Sequence, residues 1–131
     1  MPGYAYLDAS AVVKVVAAEP ESGALERDIL ERDGLISSLI VATEVRRAAA
    51  RASRRLTQQA GEVLEALVLS QVTPAILDRA AAFRPADLRT LDAIHLATAL
   101  DLEIPGLTFI SYDKKLLAAA RDAGLRVAAP R

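Results

Sequence analysis

Tyr4-Ala5-Tyr6-Leu7 is a short β-prone run, and Asp8-Ala9-Ser10-Ala11-Val12-Val13-Lys14 turns it at once into a helical stretch. The same unit, a compact apolar run leading into an amphipathic segment, recurs along the chain. Leu35–Ser38 follows Gly34, and Leu69–Thr73 is closed by Pro74. Leu107–Ser111 follows Pro105-Gly106, and Leu125–Ala128 follows Gly124. Helical periodicity fills the intervals over about 10–18, 21–32, 39–54, 57–68, 75–83, 90–102 and 114–123. Strands alternating with helices through short links predict an α/β fold, three layers α/β/α around a mostly parallel central sheet of about five strands. Helices on both faces explain why the strand runs are apolar throughout. With no internal repeat or linker in view, residues 1–131 are expected to form a single domain.

Composition narrows the class. Apolar residues make up 53% and charged residues 25%, with 27 Ala and 19 Leu but only six Gly and six Pro. That balance argues against disorder, collagen-like repeats and a many-stranded sandwich. The absence of cysteine removes disulfides, thiolate metal sites and a thiol nucleophile. The longest uncharged stretch, Ala66–Leu77, falls well short of the ~18 residues of a membrane span, and no basic leader precedes Asp8. A cytoplasmic protein with no membrane partner is therefore expected.

Ligands of open α/β sheets bind beyond the carboxyl ends of the strands, so residues just after strands are the candidates. Asp8 closes the first strand, and Asp113 follows the fourth in Ser111-Tyr112-Asp113-Lys114. Glu44 lies near the start of the helix after the second strand, and Asp92 in the first turn of another helix. Singly, Asp92 and Asp113 read equally well as helix-cap acids, and Glu44 as a solvated side chain. Asp8 is different, because a carboxylate closing an apolar strand needs a partner or a metal. Converging, the four would raise one another's pKa or recruit a hard cation. Carboxylate oxygens with no Cys and one His suit magnesium or manganese better than zinc. Ser10 and Ser111 are placed to support such a metal site, or to serve ordinary turns.

Net charge is −1, yet five of the thirteen arginines fall between Arg46 and Arg55. On one continuous helix Arg47, Arg51, Arg54 and Arg55 would share roughly the side of Glu44, with Arg46 turned away. A basic stripe beside acids suits a phosphate backbone, though a solvated or partner-docking helix face accounts for it too. His95, three residues after Asp92, reads as a packed, hydrogen-bonded side chain rather than a general base.

At these residues the chain resembles PIN-domain nucleases, and most closely the VapC-type ribonuclease toxins of bacterial toxin–antitoxin pairs. The resemblance spans nearly the whole chain. It is carried by Tyr6–Lys14, by Ser37-Ser38 leading to Thr43-Glu44-Val45, by Leu91-Asp92-Ala93-Ile94-His95-Leu96-Ala97-Thr98-Ala99, and by Phe109–Leu116. It implies a parallel sheet with the first strand between the second and fourth. It implies that Asp8, Glu44, Asp92 and Asp113 are the catalytic acids and bind one or two Mg2+ or Mn2+ ions, supported by Ser10 and Ser111. Those ions would activate a water that cleaves single-stranded RNA. Arg47, Arg51 and Arg55 would then contact RNA or a cognate VapB-type antitoxin. A homodimer is also implied, for which parts of helices 39–54 and 57–68 offer an Ala- and Leu-rich surface.

Other classes fit less well. A housekeeping PIN nuclease of RNA processing shares the chemistry. A receiver-like or phosphate-transfer domain needs a second acid beside the first and a Lys after a later strand. Here Ser10 stands two beyond Asp8, and Lys114 directly follows Asp113. A non-catalytic binding module would not need four intact acids.

Overall fold

A computed structural model describes residues 2–131. Among these are five strands, β1 (Tyr4–Leu7), β2 (Gly34–Ser38), β3 (Val68–Ser70), β4 (Thr108–Ile110) and β5 (Arg126–Ala128). Seven helices alternate with them: α1 (Ala9–Val16), α2 (Ser22–Leu30), α3 (Ile40–Ala52), α4 (Arg54–Glu65), α5 (Pro74–Ala81), α6 (Thr90–Asp101) and α7 (Lys114–Asp122). The strands form one sheet in the order β3-β2-β1-β4-β5, every neighbouring pair parallel. The three-layer expectation therefore holds, with β1 between β2 and β4.

Alternation along β1 splits the core between the two faces of the sheet. Ala5 and Leu7 join Val12, Leu25, Val41, Val45 and Leu64 beneath α1–α4. Tyr6 turns to the other face, among Phe109, Leu96 and Leu116 of β4, α6 and α7. Phe109 is fully buried and lies nearly parallel to the Tyr6 ring, centroids 5.3 Å apart. α5 packs outside α6 through Ile76, Ile94 and Ala97.

Two local outcomes differ from the periodicity. The run Leu69–Thr73 is strand only to Ser70, because Thr73 instead caps α5, its hydroxyl accepting from the Ile76 amide with Pro74 in the first turn. The helix carrying Glu44 also stops earlier than the arginine stripe requires. Ser53 is extended (φ −168°, ψ 162°), ends α3 and caps α4 by accepting from the Leu56 amide. Arg47 and Arg51 thus stay on the helix of Glu44, whereas Arg54 and Arg55 begin a new one. The uninterrupted stripe reaching Arg55 is corrected to a pair on α3.

Candidate active site

The site is built where β1 and β4 end side by side. Asp8 leaves β1 with its amide donating to the Ile110 carbonyl (3.2 Å), so the two chains turn into their helices together. Its side chain caps α1, Oδ1 accepting from the Ala11 amide at 3.0 Å. Ser10 Oγ donates to the same oxygen at 2.7 Å, and Ser111 Oγ donates to Oδ2, also at 2.7 Å. Both serines are fixed in turn, Ser10 by the Tyr112 amide (2.9 Å) and Ser111 by the Asp113 amide (3.0 Å). Asp8 is 2% exposed, and burial raises its pKa against the lowering effect of these hydrogen bonds. A carboxylate so deep keeps its charge only through such donors or through a cation.

Asp113 caps α7, its Oδ1 accepting from the Leu116 amide at 2.9 Å. Asp92 stands in the first turn of α6, half-buried, and its carboxylate enters no ion pair among the described residues. Its pKa is raised, first by burial, then by the charges of Asp113 and Asp8. Three of the four expected acids, from β1, α6 and the β4–α7 turn, thus stand near enough for the charges of two to act on the third.

Glu44 is held by a different contact. Its Oε1 lies 2.6 Å from His95 Nε2, and His95 Nδ1 lies 2.7 Å from the Tyr6 hydroxyl. His95 is fully buried, as its apolar neighbours suggested, but the residues it joins were invisible in the sequence. Only the fold brings positions 6, 44 and 95 together.

A groove of about 800 Å³ lies between α1 and α3, lined by Ser10, Glu44, Arg47, Arg51, Leu91 and Tyr112 among others; of the four candidate acids only Glu44 lines it. Arg55 does not line it. Arg47 and Arg51 are exposed and enter no ion pair among the described residues. Lys14, also at the groove, is already engaged: Glu21 Oε1 at 2.6 Å, Glu19 Oε1 at 3.2 Å, and the Tyr112 ring 4.8 Å from its ammonium. Residue-by-residue inspection of the sequence missed this clamp, since neither glutamate lies at helical spacing on α1. The groove's unpaired positive charge therefore belongs to α3.

Among the described residues no three His, Cys, Asp or Glu side chains stand ready as a metal cage. Asp8 and Asp113 each cap a helix, and Glu44 faces His95. The donor chemistry nevertheless suits a hard dication. Asp92 is unpartnered and repelled by two neighbouring acids, a strain that a bound cation removes.

That repulsion makes a stability prediction for the metal-free chain. A carboxyl whose folded pKa lies above its unfolded value of about 3.9 stabilises the fold least once pH exceeds both values. Asp92→Asn, in a chelating buffer, is therefore expected to melt above the native chain at pH 7. The difference should shrink as pH falls toward 4. Calorimetric melts across that range check it; a lower melting temperature for the variant at pH 7 would make the Asp92 charge a helix-stabilising feature instead.

Five parallel strands in this order, with Asp8 and Asp113 at the carboxyl ends of β1 and β4, match the architecture of a PIN domain. The chain belongs to the PIN-domain family, whose sequence profile it matches over residues 5–122. Ribonuclease VapC46 of Mycobacterium tuberculosis (strain H37Rv) is 40% identical over 125 residues, covering 95% of this chain and 96% of that protein. This likeness puts the chain among the VapC ribonucleases. Two solved structures share the fold. One is the M. tuberculosis toxin VapC20, described as cleaving the sarcin–ricin loop (TM-score 0.76, 16% identity, 96% of this chain and 99% of that one). The other is a chain of a toxin–antitoxin complex from Klebsiella pneumoniae (TM-score 0.69, 22% identity, 97% and 98%). Among the described residues no helix is long and apolar enough to cross a membrane.

Proposed function

We propose that this chain is a metal-dependent endoribonuclease that cleaves single-stranded RNA and acts as the toxin of a VapBC-type pair. The observation that carries the proposal is the Asp8 carboxylate, buried where β1 ends with Ser10 and Ser111 each donating to one of its oxygens, in a chain that matches the PIN-domain family over residues 5–122. Asp8, Glu44, Asp92 and Asp113 would hold Mg2+ or Mn2+. When bound, such an ion activates water and offsets charge on the phosphoryl oxygens in an in-line displacement.

The chain's own residues supply orientation. Ser10 and Ser111 hold both Asp8 oxygens, so this carboxylate enters the site with its direction set. The Asp113 amide donates to Ser111, which ties the β4–α7 turn to the same network. Arg47 and Arg51 would take backbone phosphates along the groove, where planar, bidentate donors are well suited. The apolar part of the groove, with Val13, Ile40 and Leu91, gives a protein ligand something to bury. A cognate VapB-type antitoxin segment is the proposed occupant, in keeping with the toxin–antitoxin complex that shares the fold. A homodimer belongs to the same proposal, on family resemblance.

The test uses the purified chain with labelled single-stranded and duplex RNA. Cleavage of the single strand is expected in Mg2+ or Mn2+ and not in chelator, with recovery when metal is restored. Arg47→Glu together with Arg51→Glu should weaken RNA binding and flatten its salt dependence by about two phosphate contacts. Metal-independent cleavage, or a preference for duplex, would refute the proposed chemistry. An unchanged salt slope would remove the two arginines from the substrate path.

A further inference from the structure

Tyr6, His95 and Glu44 form one buried chain of hydrogen bonds that no step above uses. For a neutral ring facing an ionised carboxylate, its protons have one arrangement. An ionised carboxylate only accepts, so the 2.6 Å contact needs a hydrogen on His95 Nε2. In a neutral ring Nδ1 is then the acceptor, and it receives the Tyr6 hydroxyl proton across 2.7 Å. Tyr6 is itself enclosed: 0% exposed, stacked on Phe109, with the His95 ring edge-on at 5.8 Å. Packing alone would favour an aliphatic residue at position 95, where Ala93, Ile94, Leu96 and Ala97 are all buried.

What the imidazole achieves is a fixed link between two helices. α6 carries Asp92 in its first turn and His95 three residues later, one turn deeper. From there the ring reaches α3 and holds one oxygen of Glu44. Oε2 makes no hydrogen bond among the described residues and is left for other partners. The Glu44 side chain remains 18% exposed and lines the groove, whereas the ring behind it is sealed from water.

We infer that His95 is a positioning residue: through Nε2 it holds the Glu44 carboxylate where that side chain lines the groove, and the Tyr6 hydroxyl holds the ring by its other nitrogen. This rests on the nuclease proposal, in which Glu44 is a metal-binding acid. A hydrogen-bonded partner behind a ligating group commonly contributes about 10–100-fold in metal affinity.

The experiment measures Mn2+ affinity of the purified chain by calorimetry, alongside melting temperature and cleavage rate. The variants His95→Gln, His95→Asn, His95→Leu, Tyr6→Phe and Glu44→Gln are compared. Gln places an amide N–H about where Nε2 stands, whereas Asn is too short to reach Glu44. Mn2+ binding is expected to weaken about 10–100-fold in His95→Asn and His95→Leu, to return within a few-fold of native in His95→Gln, and to be intermediate in Tyr6→Phe. Adding His95→Asn to Glu44→Gln should cost nothing further, since the histidine acts through that carboxylate. Equal Mn2+ affinity of the Gln and Asn variants overturns the inference, as does full additivity with Glu44→Gln. If His95→Leu fails to fold, the Gln and Asn pair decides. Native Mn2+ affinity in Glu44→Gln overturns it as well, while the nuclease proposal then stands or falls separately on Asp8→Asn.

Discussion

Asp8→Asn is expected to lower RNA cleavage by at least about 10³-fold while leaving the fold in place. Stabilisation of a phosphoryl transition state by a metal site is worth several kcal/mol, and each 1.36 kcal/mol is about tenfold in rate. Asp8 is the acid most committed by its surroundings: both oxygens are bonded, both supporting serines are themselves anchored, and only 2% of the residue is exposed. Asparagine keeps the oxygen that caps α1, and caps helices about as well as aspartate. It also removes a buried charge whose pKa the fold raises, so the cost of losing the Ser111 hydrogen bond is at least partly offset at neutral pH. The pair of measurements is the single-turnover cleavage rate and the circular dichroism melt. Near-native cleavage would move the chemistry elsewhere, and collapse of the melt would make Asp8 a structural cap first.

The largest stability effect is expected at Phe109→Ala. The ring is completely buried on β4, pairs with Tyr6 in register and stacks against it at an 8° interplanar angle. Truncating a core phenylalanine costs about 3–5 kcal/mol, of a total stability of about 5–15 kcal/mol, which lowers the melting temperature by roughly 10–20 °C. The damage would not stay local, since Tyr6 loses the surface that orients its hydroxyl toward His95. Phe109→Leu, which refills much of the volume, should recover more than half of the loss. Chemical denaturation gives the free energies; a change under about 1 kcal/mol for the alanine variant would mean that this face of the sheet is loosely packed.

Much of the fold was legible in sequence because its signals are local. Each strand run, each helical segment and the glycine or proline between them appear at their expected places within a few residues. Where the structure departs, a side-chain cap won over periodicity. Ser53 and Thr73 each accept from the amide three residues on, so α3 ends before Arg54 and β3 ends at Ser70. An i+3 or i+4 pattern read across Ser53 puts Arg55 on the Glu44 side of one continuous helix, and the observed extended backbone at Ser53 breaks that helix. The acids were legible as types at strand ends, but their roles were not equally so. Asp113 combines the helix cap that its sequence position offered with a place in the acidic neighbourhood, whereas the cap that Asp8 gives α1 was not among the roles its position suggested. Glu44 and His95 gave no local sign of each other, standing 51 positions apart.

From residue order alone come the alternation of elements, the apolar strands covered on both faces, and an aspartate at the end of the first strand. Those follow from periodicity and turn chemistry, which a chain carries within a dozen residues. Which side chains meet was settled by the strand order, because setting β1 between β2 and β4 brings Ser111 to Asp8 across 103 positions. The packing of α6 against β1 and α3 likewise delivers His95 to Tyr6 and Glu44. Contacts so distant depend on how layers stack, and no short window of sequence encodes that.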